Sequence, residues 1–160
     1  MGVEFLCSHE YHERMNEQDI LAFIQEPKLC VLATVNDRGT PESAVVGFSA
    51  QEGCKLIIAT SDQSRKVRNL TQRPDVSVVI GWDGGKTVQY EGHARVLRKE
   101  ELDEWLPKHF AKQPMSAKNK DNPHECYVLI EPDWLRFTDL TVHPWATHQV
   151  TISSRSATYG

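Results

Sequence analysis

The stretch Lys28–Asn36, KLCVLATVN, restricts the fold more than any other part of the chain, because apolar or small residues occupy both of its alternating faces. A strand of that kind is buried on both sides. It belongs in a barrel wall that has a core within and a helix or another subunit outside. Asn36-Asp37-Arg38-Gly39 follows as a strong turn signal, and Pro41–Ala50 returns as a second strand.

The rest of the chain repeats this rhythm. Asn16 is placed to cap a helix over Glu17–Gln25, with Asp19 in its first turn and Pro27 closing it. Ile20, Leu21, Phe23 and Ile24 form its apolar stripe. Gln51-Glu52-Gly53 turns the chain into a third strand, Cys54–Thr60, and a helix runs from there to about Gln72. Pro74 and Asp75 break that helix ahead of Val76–Ile80. Trp82-Asp83-Gly84-Gly85 reads as a hairpin turn before a long strand from Lys86 to about Arg98.

Glu100–Phe110 reads as helical, with Leu102, Trp105 and Leu106 on one side. Lys112–Pro123 is polar, contains Pro114 and Pro123, and reads as a mobile loop. Glu125–Glu131 is a sixth strand, and Leu135–Thr138 a short seventh. Beyond Thr141 there is little periodicity. His143-Pro144-Trp145 is the tail's large apolar anchor, and the last eight residues read as disordered. The expectation is a mainly β protein, an antiparallel barrel with about three helices. Residues 1–140 would form one domain and residues 141–160 a tail.

Charge and composition narrow the function. Lys plus Arg is 18 and Asp plus Glu is 22, so the net charge of −4 offers no general attraction to nucleic acid or an anionic membrane. No segment reaches the roughly 20 apolar residues that a membrane-spanning helix needs. Residues 1–12 carry charges and histidines where a signal peptide would be apolar, which predicts a cytoplasmic protein. Cys7, Cys30, Cys54 and Cys126 are scattered without a CxxC pair, as in a reducing compartment with neither disulfide framework nor zinc site.

One stretch combines several anion-binding features. Leu56–Leu70, LIIATSDQSRKVRNL, runs from an apolar strand through hydroxyl-bearing Thr60, Ser61 and Ser64 to Arg65 and Lys66 at a helix start. Backbone N–H groups and the helix dipole favour an anion there, and the two cations add charge-assisted hydrogen bonds. A Ser64 cap on a solvated surface helix would leave the same local pattern.

Other constellations carry less. His9 and His12 near the start, with His143 and His148 in the tail, lack further ligands on rigid elements, so no metal site is expected. His93 lies in the long strand and could face solvent or a cleft. There is no nucleophile elbow, phosphate-binding P-loop or paired-carboxylate arrangement, so no catalytic side chain stands out. Any chemistry would fall to a cofactor.

The order of these pieces resembles the pyridoxamine 5′-phosphate oxidase-like, FMN-binding split-barrel family. The matching stretches are ATVNDRGTPESAVVGF (Ala33–Phe48), LIIATSDQSRKVRNLTQRPDVSVVIGW (Leu56–Trp82) and TVQYEGHARVL (Thr87–Leu97). The most specific part is S-R-K, a short helix, then R-P-D-V-S and an apolar strand ending in Trp. The resemblance implies a six-stranded antiparallel split barrel that pairs as a homodimer with FMN at the interface. It implies that Ser64, Arg65 and Lys66 hold the FMN phosphate and that Thr60 and Ser61 lie by the flavin and its ribityl chain. Val45, Val46 and Gly47, with Ala44, would present backbone groups to the ring. Thr87 falls where the family often has a glutamine, and Gln89 on the same strand face is a substitute.

The departures point away from the oxidase itself. Basic residues that flank its second apolar strand are replaced here by Glu42-Ser43 and Gly47-Phe48, and Thr138–Pro144 does not match its Arg-rich C-terminal signature. The chain looks more like the family's short, general stress protein-like branch. The expected function is that of an FMN-dependent oxidoreductase acting on a small, planar molecule. The alternatives are a non-catalytic flavin-binding or stress-related protein, and the same fold holding deazaflavin or haem.

Overall fold

The computed structural model describes residues 15–152. Two helices and three strands open the barrel wall: α1 (Glu17–Gln25), β1 (Leu29–Val35), β2 (Pro41–Gln51), β3 (Lys55–Ser61) and α2 (Arg65–Gln72). Then come β4 (Asp75–Ile80), β5 (Lys86–Val96), α3 (Leu102–Lys112), α4 (Pro114–Lys118), β6 (Glu125–Asp139) and β7 (Ala146–Thr151). All strand pairings are antiparallel, in the order β3-β2-β1-β4-β5-β6-β7. A further pairing of β6 with β3 closes six of these strands into a barrel.

The long β6 explains the split. Its first half pairs with β3, from Glu125 opposite Ser61 to Ile130 opposite Leu56. Its second half leaves β3 and pairs with β7, from Trp134 opposite Thr151 to Asp139 opposite Ala146. β5 pairs with β6 from Lys86 opposite Asp139 to Val96 opposite Val128, with a register shift between Glu91 and Gly92. Pro132 lies opposite Gly92, at that irregularity, where a strand tolerates the loss of an N–H donor.

Alternation fills the interior. Cys30, Leu32, Phe48, Leu56, Ile58, Val78, Ile80, Val88, Tyr90, Val128 and Ile130 point into one core. The α1 residues Ile20, Leu21 and Ile24 join the same core. Asn16 and Asp19 form the expected capping box on α1. Tyr90 carries its hydroxyl into the core, where it lies 3.1 Å from the carbonyls of Cys54 and Ile130. A second cluster (Ile57, Leu97, Leu106, Tyr127, Leu129) joins α3 to β3 and the first half of β6, so this part of the barrel wall is covered by a helix on its outer side.

Three expectations need correction. Lys112–Pro123 is not all loop: Pro114 opens α4 at the first helical turn, where its missing N–H costs nothing, and Ser116 is buried. Leu135–Thr138 is not a separate strand but the continuation of β6 past Pro132. The tail contains β7, in which Ala146, His148 and Val150 are half-buried while Thr147, Gln149 and Thr151 are exposed. The tracts 1–14, with His9 and His12, and 153–160 lie outside the described residues. Of the tail histidines, His148 faces the Phe137 ring at 6.4 Å and His143 is exposed.

The doubly apolar β1 buries Cys30, Leu32 and Thr34 inward, as expected. Outward, Val31 and Ala33 are half-buried and Leu29 is 50% exposed. Val31 stands opposite Val45 on one side and Val79 on the other, and Val79 opposite Gln89. The row continues through Arg136 to Gln149. Val45 is 62% exposed, so this outer sheet face is apolar at β2, β1 and β4 and polar at β5, β6 and β7.

Candidate functional site

A cleft of about 310 Å³ lies at the N-terminus of α2, where the helix meets β1 and β2. Leu32 and Thr34 from β1, Glu42, Ser43 and Ala44 from β2, and Arg65 and Lys66 from α2 line it. Ser64 is the helix cap: its side chain accepts from the N–H of Val67, and its carbonyl from the N–H of Arg68. The first-turn N–H groups of a helix have no carbonyl partner within it, so this end attracts an anion.

The strand before the helix contributes hydroxyls. Lys66 Nζ lies 3.5 Å from Thr60 Oγ1, at the end of β3. Ser61 accepts at Oγ from the N–H of Gln63 (3.2 Å), which shapes the turn into α2. Thr60, Ser61, Ser64, Arg65 and Lys66 therefore lie along one strand–turn–helix segment, of which Arg65 and Lys66 line the cleft. Two cations, the Thr34 and Ser43 hydroxyls and an apolar Leu32–Ala44 side would suit the phosphate end of a flavin nucleotide, with Glu42 as the one anionic group in the lining.

The remaining predicted positions are spread over the sheet. Val46 packs against the core while its neighbour Val45 faces outward. Gly47 adjoins Gln113, whose Nε2 donates to the carbonyls of Lys28 and Phe48 at 2.8 Å each. Thr87 and Gln89 stand on the outer face of β5, with Thr87 Oγ1 3.4 Å from the Ile80 carbonyl. They do not line the cleft that holds Arg65.

Four polar residues of the site were not picked out as such from the sequence: Thr34, Glu42, Ser43 and Asn69. Glu42 pairs directly with the Arg65 guanidinium. Asn36 Nδ2 donates to its Oε1 at 3.0 Å and Asn69 Nδ2 to its Oε2 at 2.9 Å. Asn69, buried, also donates to Thr34 Oγ1 at 3.0 Å. The hydrogen bonds from Asn36 and Asn69, followed by the charge of Arg65, hold the Glu42 carboxyl below its ordinary pKa. Asn69 lies one turn beyond Arg65, so helical spacing was the available signal.

Behind this network a second, polar cleft of about 350 Å³ opens between the 36–38 turn and α2. Arg38 and Arg68 line it, and Glu42, Arg65 and Asn69 are shared with the network in front. Asn36 also anchors the turn: its Oδ1 accepts from the N–H groups of Arg38 and Thr40 at 3.0 Å each. Arg73 Nη1 reaches the Asn36 carbonyl at 2.5 Å and ties the turn to the end of α2.

His93 faces neither cleft. Its Nδ1 lies 3.2 Å from Asp133 and its Nε2 3.5 Å from Glu131, so both ring nitrogens face carboxylates. His109 is fully buried against Ser49. Cys30 and Cys54 sit in the core, where burial pushes each thiol up to about 12, far from the thiolate a nucleophile needs.

The family model described as pyridoxamine 5′-phosphate oxidase matches residues 17–139. A pyridoxine/pyridoxamine 5′-phosphate oxidase of Bacteroides thetaiotaomicron is 31% identical over 106 residues, covering 66% of this chain and 50% of that protein. A dihydrophenazinedicarboxylate synthase of Burkholderia lata is 30% identical over 118 residues, covering 72% and 54%. The chain thus spans about half the length of the curated relatives it matches.

Among solved structures, an FMN-binding, pyridoxamine 5′-phosphate oxidase-related protein of Nostoc punctiforme superposes with a TM-score of 0.59 at 15% identity, covering 78% of this chain and 87% of that one. A heme-binding protein of Mycobacterium smegmatis superposes with a TM-score of 0.72 at 18% identity, covering 86% and 59%. The shared barrel therefore occurs with more than one ligand. With its split six-stranded barrel and a family match over 17–139, the chain belongs to the pyridoxamine 5′-phosphate oxidase family.

Proposed function

We propose that this protein is an FMN-binding oxidoreductase that works as a homodimer on a small, planar molecule. The observation that carries the reading is the α2 N-terminus. Ser64 caps the helix, and Arg65 and Lys66 flank a cleft whose far wall is Leu32 and Ala44. Bound there, FMN would supply hydride exchange at its ring. The chain's own residues would hold the phosphate with Arg65, Lys66 and first-turn N–H groups, and would keep the ring side apolar.

The flavin is favoured over haem because, among the described residues, no histidine lines the cleft. His93 is turned toward Asp133 and Glu131, and His109 toward Ser49. The homodimer is supported by the outer sheet face, where Leu29, Val31, Val45 and Val79 form a contiguous apolar strip without a covering helix among the described residues. A planar substrate is in keeping with relatives named as a pyridoxine/pyridoxamine 5′-phosphate oxidase and a dihydrophenazinedicarboxylate synthase.

The test is reconstitution followed by reduction. Purified protein should take up FMN and turn yellow. Anaerobic mixing with NADH or NADPH in a stopped-flow instrument should then bleach the flavin absorbance within seconds. Protein that takes up no FMN overturns the cofactor. Flavin that binds but resists both nicotinamides and added planar acceptors points to a passive binder.

A further inference from the structure

The anion cleft contains a carboxylate, and its placement gives it a role. Arg65 and Lys66 bring two positive charges to the α2 N-terminus, but Glu42 from β2 stands in the same cleft and pairs with Arg65. Its two oxygens are held separately, Oε1 by Asn36 at 3.0 Å and Oε2 by Asn69 at 2.9 Å. Asn69 is itself fixed by Thr34 at 3.0 Å, and both of these side chains are buried. The Glu42 side chain is 20% exposed against 72% for Arg65, so the carboxylate is the anchored member of the pair and the guanidinium the movable one.

We propose that Glu42 is a specificity residue that occupies Arg65 in place of a ligand phosphate and lowers the site's preference for a doubly charged phosphate monoester. The inference rests on the anion-site reading above and deepens it. With Glu42 present, the three charged groups of the cleft sum to +1 rather than +2. A net +1 still attracts the phosphate dianion of FMN, but less than the +2 that Arg65 and Lys66 would present alone. A phosphate dianion must draw Arg65 away from Glu42 and then lie beside an anchored negative charge. The flavin ring makes no demand on this pair, so a flavin without phosphate is indifferent to it.

The variant that isolates the charge is Glu42→Gln, which keeps the side chain's length and an oxygen that Asn36 or Asn69 can reach. Glu42→Ala serves as a second variant, with folding of both checked by thermal melting. Inorganic phosphate, FMN and riboflavin are each titrated against the natural protein and both variants, by calorimetry for phosphate and flavin fluorescence for the others. The expected result is roughly tenfold or greater tightening for inorganic phosphate and FMN in both variants, the scale of one hydrogen-bonded charge, with riboflavin unchanged. Equal phosphate affinity in all three proteins overturns the inference, as does equal tightening for riboflavin. If phosphate tightens as expected but FMN binds none of the three, the inference stands and the FMN reading falls. If FMN binds all three proteins and neither FMN nor phosphate tightens in the variants, the inference falls and the FMN reading stands.

Discussion

Ser49 on β2 and His109 on α3 are joined by a 2.9 Å hydrogen bond between Oγ and Nδ1, in a place that solvent does not reach. His109 is packed edge-on against Tyr127 and beside Phe110, and its Nε2 has no partner among the described residues. Burial drives its pKa down from 6.5 to about 4. The ring is therefore neutral in the folded protein and docks α3 onto the barrel as an uncharged hydrogen-bonding group.

That shift fixes a pH window for stability. Below 6.5 the unfolded chain protonates this histidine while the folded one resists until about 4, so stability falls as pH drops through that interval. The loss approaches about 3 kcal/mol, from 1.36 kcal/mol per pKa unit. Carboxylates act lower: hydrogen bonds from Arg95 hold Glu101 at about 2, so its contribution is lost only below its ordinary value of 4.5. Urea unfolding between pH 7 and 4.5 should show the decline in the natural protein and a flatter profile in His109→Gln. Parallel profiles would remove His109 as its source.

Gly92 marks the point where β5 and β6 change register, and the space beside it is closed. A Cβ there would lie 2.3 Å from the Glu131 carbonyl oxygen and 2.8 Å from the Tyr90 ring. The first obstacle is backbone within a strand pair and the second a fully buried ring, so neither can step aside cheaply. Gly92→Ala should cost about 3 kcal/mol or more, at the upper end of overpacking effects. Equilibrium denaturation within about 1 kcal/mol of the natural protein would show that the register can relax at this point.

The phosphate grip is tested by removing both cations. Arg65→Ala with Lys66→Ala should weaken FMN binding by roughly 3 kcal/mol or more, the worth of two charge-assisted hydrogen bonds. Riboflavin binding should change far less. The two side chains are not buried in the core, so thermal stability should hold and the loss can be assigned to the ligand. Undiminished FMN affinity in the folded double variant would move the phosphate elsewhere.

Legibility differed by the kind of signal each segment carries. The capped α1, the Asn36–Gly39 turn and the strand–turn–helix around Ser64 are local, and residue chemistry within five positions specifies them. Pro132 obscured the continuity of β6, because whether a proline ends a strand depends on what stands opposite it, here Gly92 at a register shift. In β7 the alternation is carried by Ala146, His148 and Val150, side chains too modest to announce a strand without the edge of β6 beside them. The Glu42 network could not be read for a similar reason. It joins residues 34, 36, 42, 65 and 69 through tertiary pairing, and sequence spacing holds no trace of which carboxylate meets which arginine.

The expectation that β1 needs a cover on both sides leads to the last prediction. Its inner face has the core, whereas its outer face, continued by Val45 and Val79, has no helix over it among the described residues. A second copy of the chain would supply that cover by a two-fold contact in which the same patch serves both partners. Val45→Glu places a charge in the strip. In a single copy the position is 62% exposed, so the fold should tolerate the change with a stability loss of about 1 kcal/mol or less. Between two copies the substitution would bury a pair of like charges, which costs several kcal/mol. Sedimentation should therefore give a dimer mass for the natural protein and a monomer mass for Val45→Glu, with the circular dichroism spectrum retained. FMN affinity should fall together with the dimer if the cofactor is shared between copies. A natural protein that sediments as a monomer would leave the apolar strip without this partner and place the flavin site within one chain.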